Sequence, residues 1–408
     1  MPNLLIRDVP RAIHSQIRRE HQRRLMSQNA YLVSLLSEAV ERQNGPSLFD
    51  GIDDAALDVP NTTRNDVTYS VPFTFIDLFS GIGGMRLGLE AVGGKCLFSC
   101  EVDPHAQKTY RAWFGDNPAG NVTELTQKSD IPPHDVLAAG FPCQPFSLAG
   151  VSKKNSLGRE HGFKDRTQGT LFFHLATIIE VHRPPVLLLE NVKNLRSHNK
   201  GDTWKTIVGT LNDLDYEIFS EVIDASAWVP QHRERVLIVG FDRQTFGAEP
   251  PFQFPDPSDA PQPQLREILE TSPDPKYTLS DQLWRYLQDY AERHRRKGNG
   301  FGCSIADPDG ITRTLSARYH KDGSEVLISQ GEKQNPRRLT PREAGRLMGF
   351  PEHLLDRMLK PPQVVSDTQA YKQFGNAVVP ALIQAVARQI VKVMHWKVLR
   401  RNGCLLKR

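Results

Sequence analysis

From residue 73 onward the chain alternates two hydrophobic rhythms. Short, nearly continuous apolar runs occur at FTFIDLF, KCLFSCEVD, DVLAAGF, PVLLLENV and RVLIVGF, with the length and the β-branched or aromatic content of buried strands. Between them lie segments of helical spacing: a glycine turn running into a helix at GIGGMRLGLEAVG, a stretch from Leu171 to Val181, and a last amphipathic stretch from Pro380 to Trp396. Strands that alternate with helices predict an α/β fold, a doubly wound, mostly parallel sheet covered on both faces. Between Asp242 and Gln264 the texture shifts to Pro and Phe, which predicts a crossing into a smaller, less regular domain.

The first 72 residues follow a different pattern. Leu4 to Val9 reads as a short strand closed by Pro10, followed by a helix with Ile13 and Ile17 on one face. A second helix starts at the N-cap Ser27 and carries Leu32, Leu35, Leu36, Ala39 and Val40 as one stripe, until Asn44, Gly45 and Pro46 stop it. One strand and two helices bury too little as a monomer, and pairing the strands across a two-fold axis solves that. LLIRDVP and these helices resemble a ribbon-helix-helix DNA-binding module, which implies a homodimer through residues 1–43 with Asn3, Leu5 and Arg7 presented to the major groove. A helical hairpin packed on the rest of the chain explains the same stripe. Residues 44–72 read as a linker.

Charge sharpens the division. Residues 1–42 hold seven Arg against four acids, 43–72 hold one Arg against five Asp, and 276–300 hold six Lys and Arg against three acids. Two basic stretches around an acidic spacer suit two surfaces that meet nucleic acid, and solvated helix faces have the same composition. The five cysteines, Cys96, Cys100, Cys143, Cys303 and Cys404, form no CxxC pair and no zinc spacing, so reduced thiols and no metal are expected. MPNLLIRDVPRAI lacks the apolar block of a signal peptide, and no apolar run of membrane-spanning length stands out, so a cytoplasmic protein with no membrane partner is expected.

In a doubly wound sheet, ligands sit outside the carboxyl ends of the strands. There the sequence offers Gly81, Gly83 and Gly84 after the first strand and Glu101 after the second. The dinucleotide fingerprint needs a third glycine where Arg86 stands, which disfavours NAD. GFPCQPFS follows the third strand with Cys143, PVLLLENV ends in Glu190 and Asn191, and Gln231, Arg233 and Arg235 precede RVLIVGF. A lone cysteine is more often inert than nucleophilic, and a strand-end carboxylate is often a solvated cap. A thiol, a carboxylate and two arginines at one edge are hard to reach by accident.

FIDLFSGIGG, EVD, GFPCQPFS, ENVKNL, QHRERVLIVGF, RTLSARYHKDG and FGNAVVP, in this order, resemble the motif series of the DNA cytosine-5 methyltransferases. GVSKKNSLG and KGNGFG are similar to the bacterial Dcm-type subgroup. The resemblance implies a S-adenosylmethionine-dependent methyltransferase fold with a catalytic domain at 73–243, a target-recognition domain at 244–362 and a returning segment at 363–408. It implies Cys143 as the nucleophile, Glu190 at the ring nitrogen N3, Arg235 on the base carbonyl and Arg233 steadying the site. It places S-adenosylmethionine against Phe79, Gly81, Gly83, Glu101, Asn121, Pro142, Leu171 and Asn376. Double-stranded DNA is the implied partner, with the target base drawn out of the stack and Gln144, Ser147, Trp284, Arg293, Arg295, Arg296 and Lys297 toward the duplex. KYTLSDQLWRYL and KGNGFG resemble the Dcm-type recognition region, which implies a CC-x-GG site methylated at the inner cytosine.

Two positions depart from that pattern. Asn121 stands where the family usually has Asp, which predicts weaker cofactor binding, and Ala377 replaces a common Ser, at a cost of about 1 kcal/mol for the lost hydrogen bond. Val151 to Gln168 matches the family's mobile loop; a plain surface loop has the same composition. A tRNA cytosine methyltransferase, a Rossmann oxidoreductase and a non-catalytic DNA-binding protein of the same fold remain the alternatives.

Overall fold

The structure is a computed structural model that describes residues 72–125, 130–142, 171–298 and 303–401. The expected strand and helices of residues 1–43, the linker, and the loop at Val151 to Gln168 lie outside the described residues.

Six strands form one sheet: β1 (Phe73–Leu78), β2 (Gly94–Cys100), β3 (Val136–Gly140), β4 (Val186–Val192), β5 (Tyr216–Asp224) and β6 (Glu234–Asp242), in the order β2-β1-β3-β4-β6-β5. β1 to β4 are parallel, and β6 runs antiparallel to both of its neighbours. Successive side chains divide between the two faces, as the pleat requires. Phe73, Phe75, Val136, Ala138, Val186, Leu188, Leu237 and Val239 join one core, while Ile76, Leu78, Leu137, Ala139, Leu187, Leu189, Val236 and Ile238 join the other.

The first face is covered by α1 (Gly84–Glu90), α2 (Pro104–Phe114) and the long α9 (Pro380–Arg401), the second by α3 (Leu171–His182) and α4 (Asp202–Asp213). α2 starts where sequence chemistry says a helix should: Asp103 caps the His105 N–H, Pro104 occupies the first turn, and Gly115, in the left-handed region at φ 78°, ends it. The 367–397 stretch is long and apolar enough by length and composition alone to cross a membrane. Its apolar side chains have another use, because Leu382, Ile383, Val386, Ala387 and Ile390 are buried in the first core. Cβ atoms on Gly88 of α1 would collide with Ile383, so the two helices meet at close range.

β5 was not among the expected strands. Only Tyr216 and Ile223 of YEIFSEVID are buried, so this edge strand lacks the apolar run that marks its neighbours.

Beyond the sheet the chain forms α5 (Asp281–Arg296), the two-residue strands β7 (Leu327–Ile328) and β8 (Arg337–Arg338), then α6 (Pro341–Leu347), α7 (Glu352–Leu359) and α8 (Asp367–Asn376). A buried bidentate pair fixes this part: both Arg337 amino groups bond the two Glu343 oxygens at 2.7 and 2.8 Å. Glu343 also accepts from the Thr340 and Glu270 N–H groups, so one carboxylate caps α6 and ties it to residue 270.

Candidate active site

β1 ends in a tight glycine turn because three consecutive features need it. Phe79, Gly81 and Gly83 all take positive φ, at 56°, 54° and 87°. A Cβ on Gly83 would lie 2.4 Å from the Phe114 ring, whereas one on Gly81 would meet nothing within 4 Å. Gly83 therefore serves packing, and Gly81 faces open space at the strand end. The Gly81 N–H donates to Glu101 Oε2 at 2.7 Å, and the other Glu101 oxygen accepts from the Asp103 N–H at 2.8 Å. A carboxylate has lone pairs left after two such bonds, enough to receive ribose hydroxyls.

Val102 beside it is 71% exposed, an apolar side chain left bare at the same edge, which suits the face of a purine. Asn121 Oδ1 caps the Thr123 N–H at 3.1 Å. Phe79 and Leu171 pack on the edge of the second core, and Pro142 is exposed after β3. A Cβ on Gly84 would meet the Val378 carbonyl, so FGNAVV abuts this turn and sets exposed Asn376 at the same rim. Open space at Gly81, a carboxylate with capacity to spare and a bare valine fit a nucleoside cofactor.

Beneath the turn Asp77 is fully buried, and neither of its oxygens completes a hydrogen bond among the described residues. Burial pushes its pKa up to about 8, against the weaker pull of the Arg86 charge and N–H. Arg86 itself, where the dinucleotide fingerprint has glycine, lies over the Phe114 ring at 4.2 Å and pairs with Glu90 and Asp116.

The reacting edge is built by β3, β4 and β6. Glu190 is the register partner of Gly140, and its Oε2 would lie 3.7 Å from a Cβ there. Arg235 Nε is 2.9 Å from Glu190 Oε1. Burial is the largest influence on Glu190 and raises its pKa; the Arg235 and Arg233 charges pull it down without cancelling the rise. Because β6 runs antiparallel, its beginning lies at the carboxyl edge of β4, and this reversal brings the two arginines to the glutamate.

Arg233 has a second task. It is 1% exposed and donates to the carbonyls of Leu315, Gly375 and Ala377 at 3.0, 2.9 and 2.6 Å. Burial lowers its pKa to about 9, so it stays charged at neutral pH. Gln231, also buried, bonds the Leu347 carbonyl and the Leu315 N–H. Ala377 thus contributes through its backbone, which needs no hydroxyl.

Two further residues support this edge, Asn191, named in the sequence without a role, and Asp224, which the sequence did not single out. Asn191 Nδ2 donates to the Phe141 carbonyl at 2.8 Å, joining the ends of β3 and β4. Asp224, at the end of the unexpected strand, accepts from the Arg233 and Ser226 N–H groups. Cys143, Gln144 and Ser147, like Asn3 and Arg7, lie outside the described residues.

The arginines offered to DNA sit at the end of α5. Arg295 and Arg296 both pair with Glu292, Arg293 stacks over Tyr290 at 5.5 Å, and Lys297 is exposed. Trp284 is partly committed elsewhere, packed with Leu279, Leu287 and Leu327 in a small separate core.

Residues 73–392 match the family model described as C-5 cytosine-specific DNA methylase. The chain is 44% identical over 366 residues to the DNA-cytosine methyltransferase of Escherichia coli (strain K12), covering 78% of this chain and 77% of that protein. It is 47% identical over 344 residues to Type II methyltransferase M1.ScrFI of Lactococcus lactis subsp. cremoris, covering 84% of each. Among solved structures it resembles the Dnmt2 methyltransferase of S. pombe, with TM-score 0.58 and 17% identity over 80% of this chain and 99% of that one. The Entamoeba histolytica methyltransferase EhMeth matches with TM-score 0.60 at 17% identity, over 80% of this chain and 99% of that one. The structural likenesses show the methyltransferase fold.

Proposed function

The chain belongs to the C-5 cytosine-specific DNA methylase family, a DNA cytosine-5 methyltransferase that uses S-adenosylmethionine, and we propose that it works through a covalent Cys143 adduct on a cytosine flipped from duplex DNA. The observation that carries this reading is the Glu190–Arg235 pair beside Gly140. Cys143 follows Gly140 by three residues, within about 10 Å of chain reach.

Carbon 5 of cytosine is a poor nucleophile until something adds to carbon 6. The Cys143 thiolate forms the Sγ–C6 bond, and the ring electrons move toward N3. Glu190 meets them there. A carboxyl whose pKa burial has raised keeps its proton closer to neutral pH, and donates it to N3 as charge develops. Arg235 holds the base carbonyl and, with Arg233, keeps the glutamate from drifting too far toward permanent neutrality. Bound S-adenosylmethionine supplies an electrophilic methyl group, which the enamine-like carbon 5 takes up. Water takes the carbon 5 proton, its electron pair re-forms the C5–C6 double bond as the Sγ–C6 bond breaks and the thiolate leaves, and N3 returns its proton to Glu190. Gly81, Glu101, Asn121 and Asn376 hold the cofactor at the neighbouring strand ends, Phe79, Pro142 and Leu171 wall it, and Gly83 lets the turn close.

Cys143→Ser tests the nucleophile. Tritiated methyl transfer to unmethylated DNA falls to background while DNA binding persists, and a fluorinated cytosine traps the wild type alone. Turnover by the serine variant above a trace overturns the assignment. The target has the form CC-x-GG with the inner cytosine modified, read by the 244–362 domain through Trp284, Arg293, Arg295, Arg296 and Lys297, with Gln144 and Ser147 of the catalytic domain also toward the duplex. Bisulfite sequencing of plasmid from a methylation-free host checks it, and modification confined to an unrelated motif refutes it.

The matched family region begins at residue 73, which favours residues 1–43 as a module of its own, joined by the 44–72 linker. As a ribbon-helix-helix dimer that sets Asn3 and Arg7 on an operator, it makes the enzyme a repressor of its own gene. Deleting residues 1–43 then removes dimerisation and upstream binding and spares methylation. An inactive or insoluble truncation supports the packed hairpin instead.

A further inference from the structure

Between the glutamate edge and the start of β6 lies an outward pair of side chains that the reaction above does not use. His232 is in the loop that enters β6, one residue before buried Arg233. Its Nδ1 is 2.7 Å from Asp224 Oδ2, while its side chain remains 59% exposed. The bond to a carboxylate obliges Nδ1 to carry a hydrogen, which fixes the ring orientation and leaves Nε2 at the exposed end.

The segment 312–315 is laid alongside. Gln231 and Thr312 bridge in parallel, the His232 N–H donates to the Thr312 carbonyl at 2.9 Å, and the Thr314 hydroxyl donates to the His232 carbonyl. Gln231 and Thr312 are both buried, so alternation turns the next residue of each segment, His232 and Arg313, outward together. Arg313 is exposed and makes no ion pair or side-chain hydrogen bond among the described residues. The other exposed charges nearby are spoken for: Glu234 pairs with Lys193, and Asp224 with His232 itself.

We infer that His232 and Arg313 together bind one phosphate of the target strand beside the flipped cytosine, with Asp224 as the positioning residue for His232. The inference rests on the methyltransferase reading above. A rise of about 3.3 Å per residue sets His232 on the order of 10 Å along the backbone from Arg235. That is the scale of a nucleotide, from base carbonyl to a neighbouring phosphate. The Arg313 guanidinium donates to that phosphate, and His232, in the form that carries hydrogens on both ring nitrogens, adds an Nε2 donor from the second segment, while the bond network through Arg233 holds both segments in place before DNA arrives.

The test is binding of the full-length protein to a duplex with one CC-x-GG site, carrying single neutral methylphosphonates at successive phosphates within three nucleotides of the target cytosine. Wild type loses about tenfold in affinity at one of these positions. His232→Ala and Arg313→Ala each bind the all-phosphate duplex more weakly and no longer respond at that position. The slope of log K against log salt becomes shallower by about 1 in Arg313→Ala, and in both variants the kinetic loss appears in KM for DNA rather than in kcat. A wild type indifferent to every methylphosphonate in this window, variants that keep its sensitivity, or an Arg313 variant that keeps its salt slope overturns the contact. Because the wild-type scan needs no substitution, a variant that folds poorly does not spare the idea. A wild type with this phosphate signature that transfers no methyl group supports the contact and refutes the reaction.

Discussion

The arginines of the β6 entrance and those of α5 are the same side chain put to opposite uses. Arg233 is buried and gives its donors to three backbone carbonyls from two distant segments. Arg295 and Arg296 are 76% and 77% exposed and lean on one glutamate a turn away in their own helix. The first geometry exists before any ligand and costs nothing to assemble at the moment of reaction. The second is screened by water and salt, and its ion pairs are exchangeable for phosphate. The sheet edge thus suits chemistry that needs fixed groups, and α5 suits a partner that brings its own charges.

The largest expected effect lies at the fixed edge. Glu190→Gln keeps the shape and the bond to Arg235 and removes the proton donor, so methyl transfer drops about 10²- to 10⁴-fold with the thermal transition nearly unchanged. If rate and melting temperature fall together, Glu190 is structural. Arg233→Ala comes next, because it leaves three buried carbonyls without donors, and denaturant titration should show a loss of about 3–5 kcal/mol. Lysine at 233 rescues little of this, since one ammonium does not span the fork.

Asp77 extends the contrast to a buried carboxyl. The folded protein holds its proton up to about pH 8, while the unfolded chain releases it near the ordinary carboxyl value of 3.8. The native state therefore binds more protons over that window, and stability from this group is present at low pH and lost as pH rises toward 8. Relative to Asp77→Asn, the wild type should lose about 4 kcal/mol between pH 5 and 8, read by urea titration at each pH. Equal slopes in the two proteins place the proton elsewhere. The smallest effect belongs to α5: Arg295→Ala or Arg296→Ala should change stability by less than about 0.5 kcal/mol. A large destabilisation in either would erase the distinction between the two regions.

Five of the six strands were legible in the sequence, four of them as runs buried on both faces and the edge strand β2 as KCLFSCEVD, ahead of its acids. β1, β3, β4 and β6 announce themselves as apolar runs, and the glycine turn and the acids that follow them sit where such a sheet puts its ligands. β5 was not legible, since YEIFSEVID breaks its apolar residues with Glu217, Ser220 and Glu221 and most of the strand is only half-buried. Missing it also hid Asp224. The reversed direction of β6 was equally invisible, because an apolar run has no polarity; yet that reversal is why residues written before a strand share an edge with residues written after one. Glu190 stood out by position, but Arg233's partners lie 82 to 144 residues away, and local pattern carries nothing about them. Trp284 is a related case: aromatic and basic residues on a helix look alike whether they meet a duplex or a small core of leucines.

The clamp at Arg233 bears on how the polypeptide tolerates being cut. Gln231 and Arg233 belong to the sheet, yet their hydrogen bonds end on residues 315, 347, 375 and 377, and α9 packs into the first core from the far end of the chain. Thr271 and Ser272, between them, are exposed. Two polypeptides divided there, 1–271 and 272–408, carry complementary halves of the same hydrogen-bonded and apolar seam, so co-expression should reassemble a working enzyme whose activity is governed by how often the halves meet.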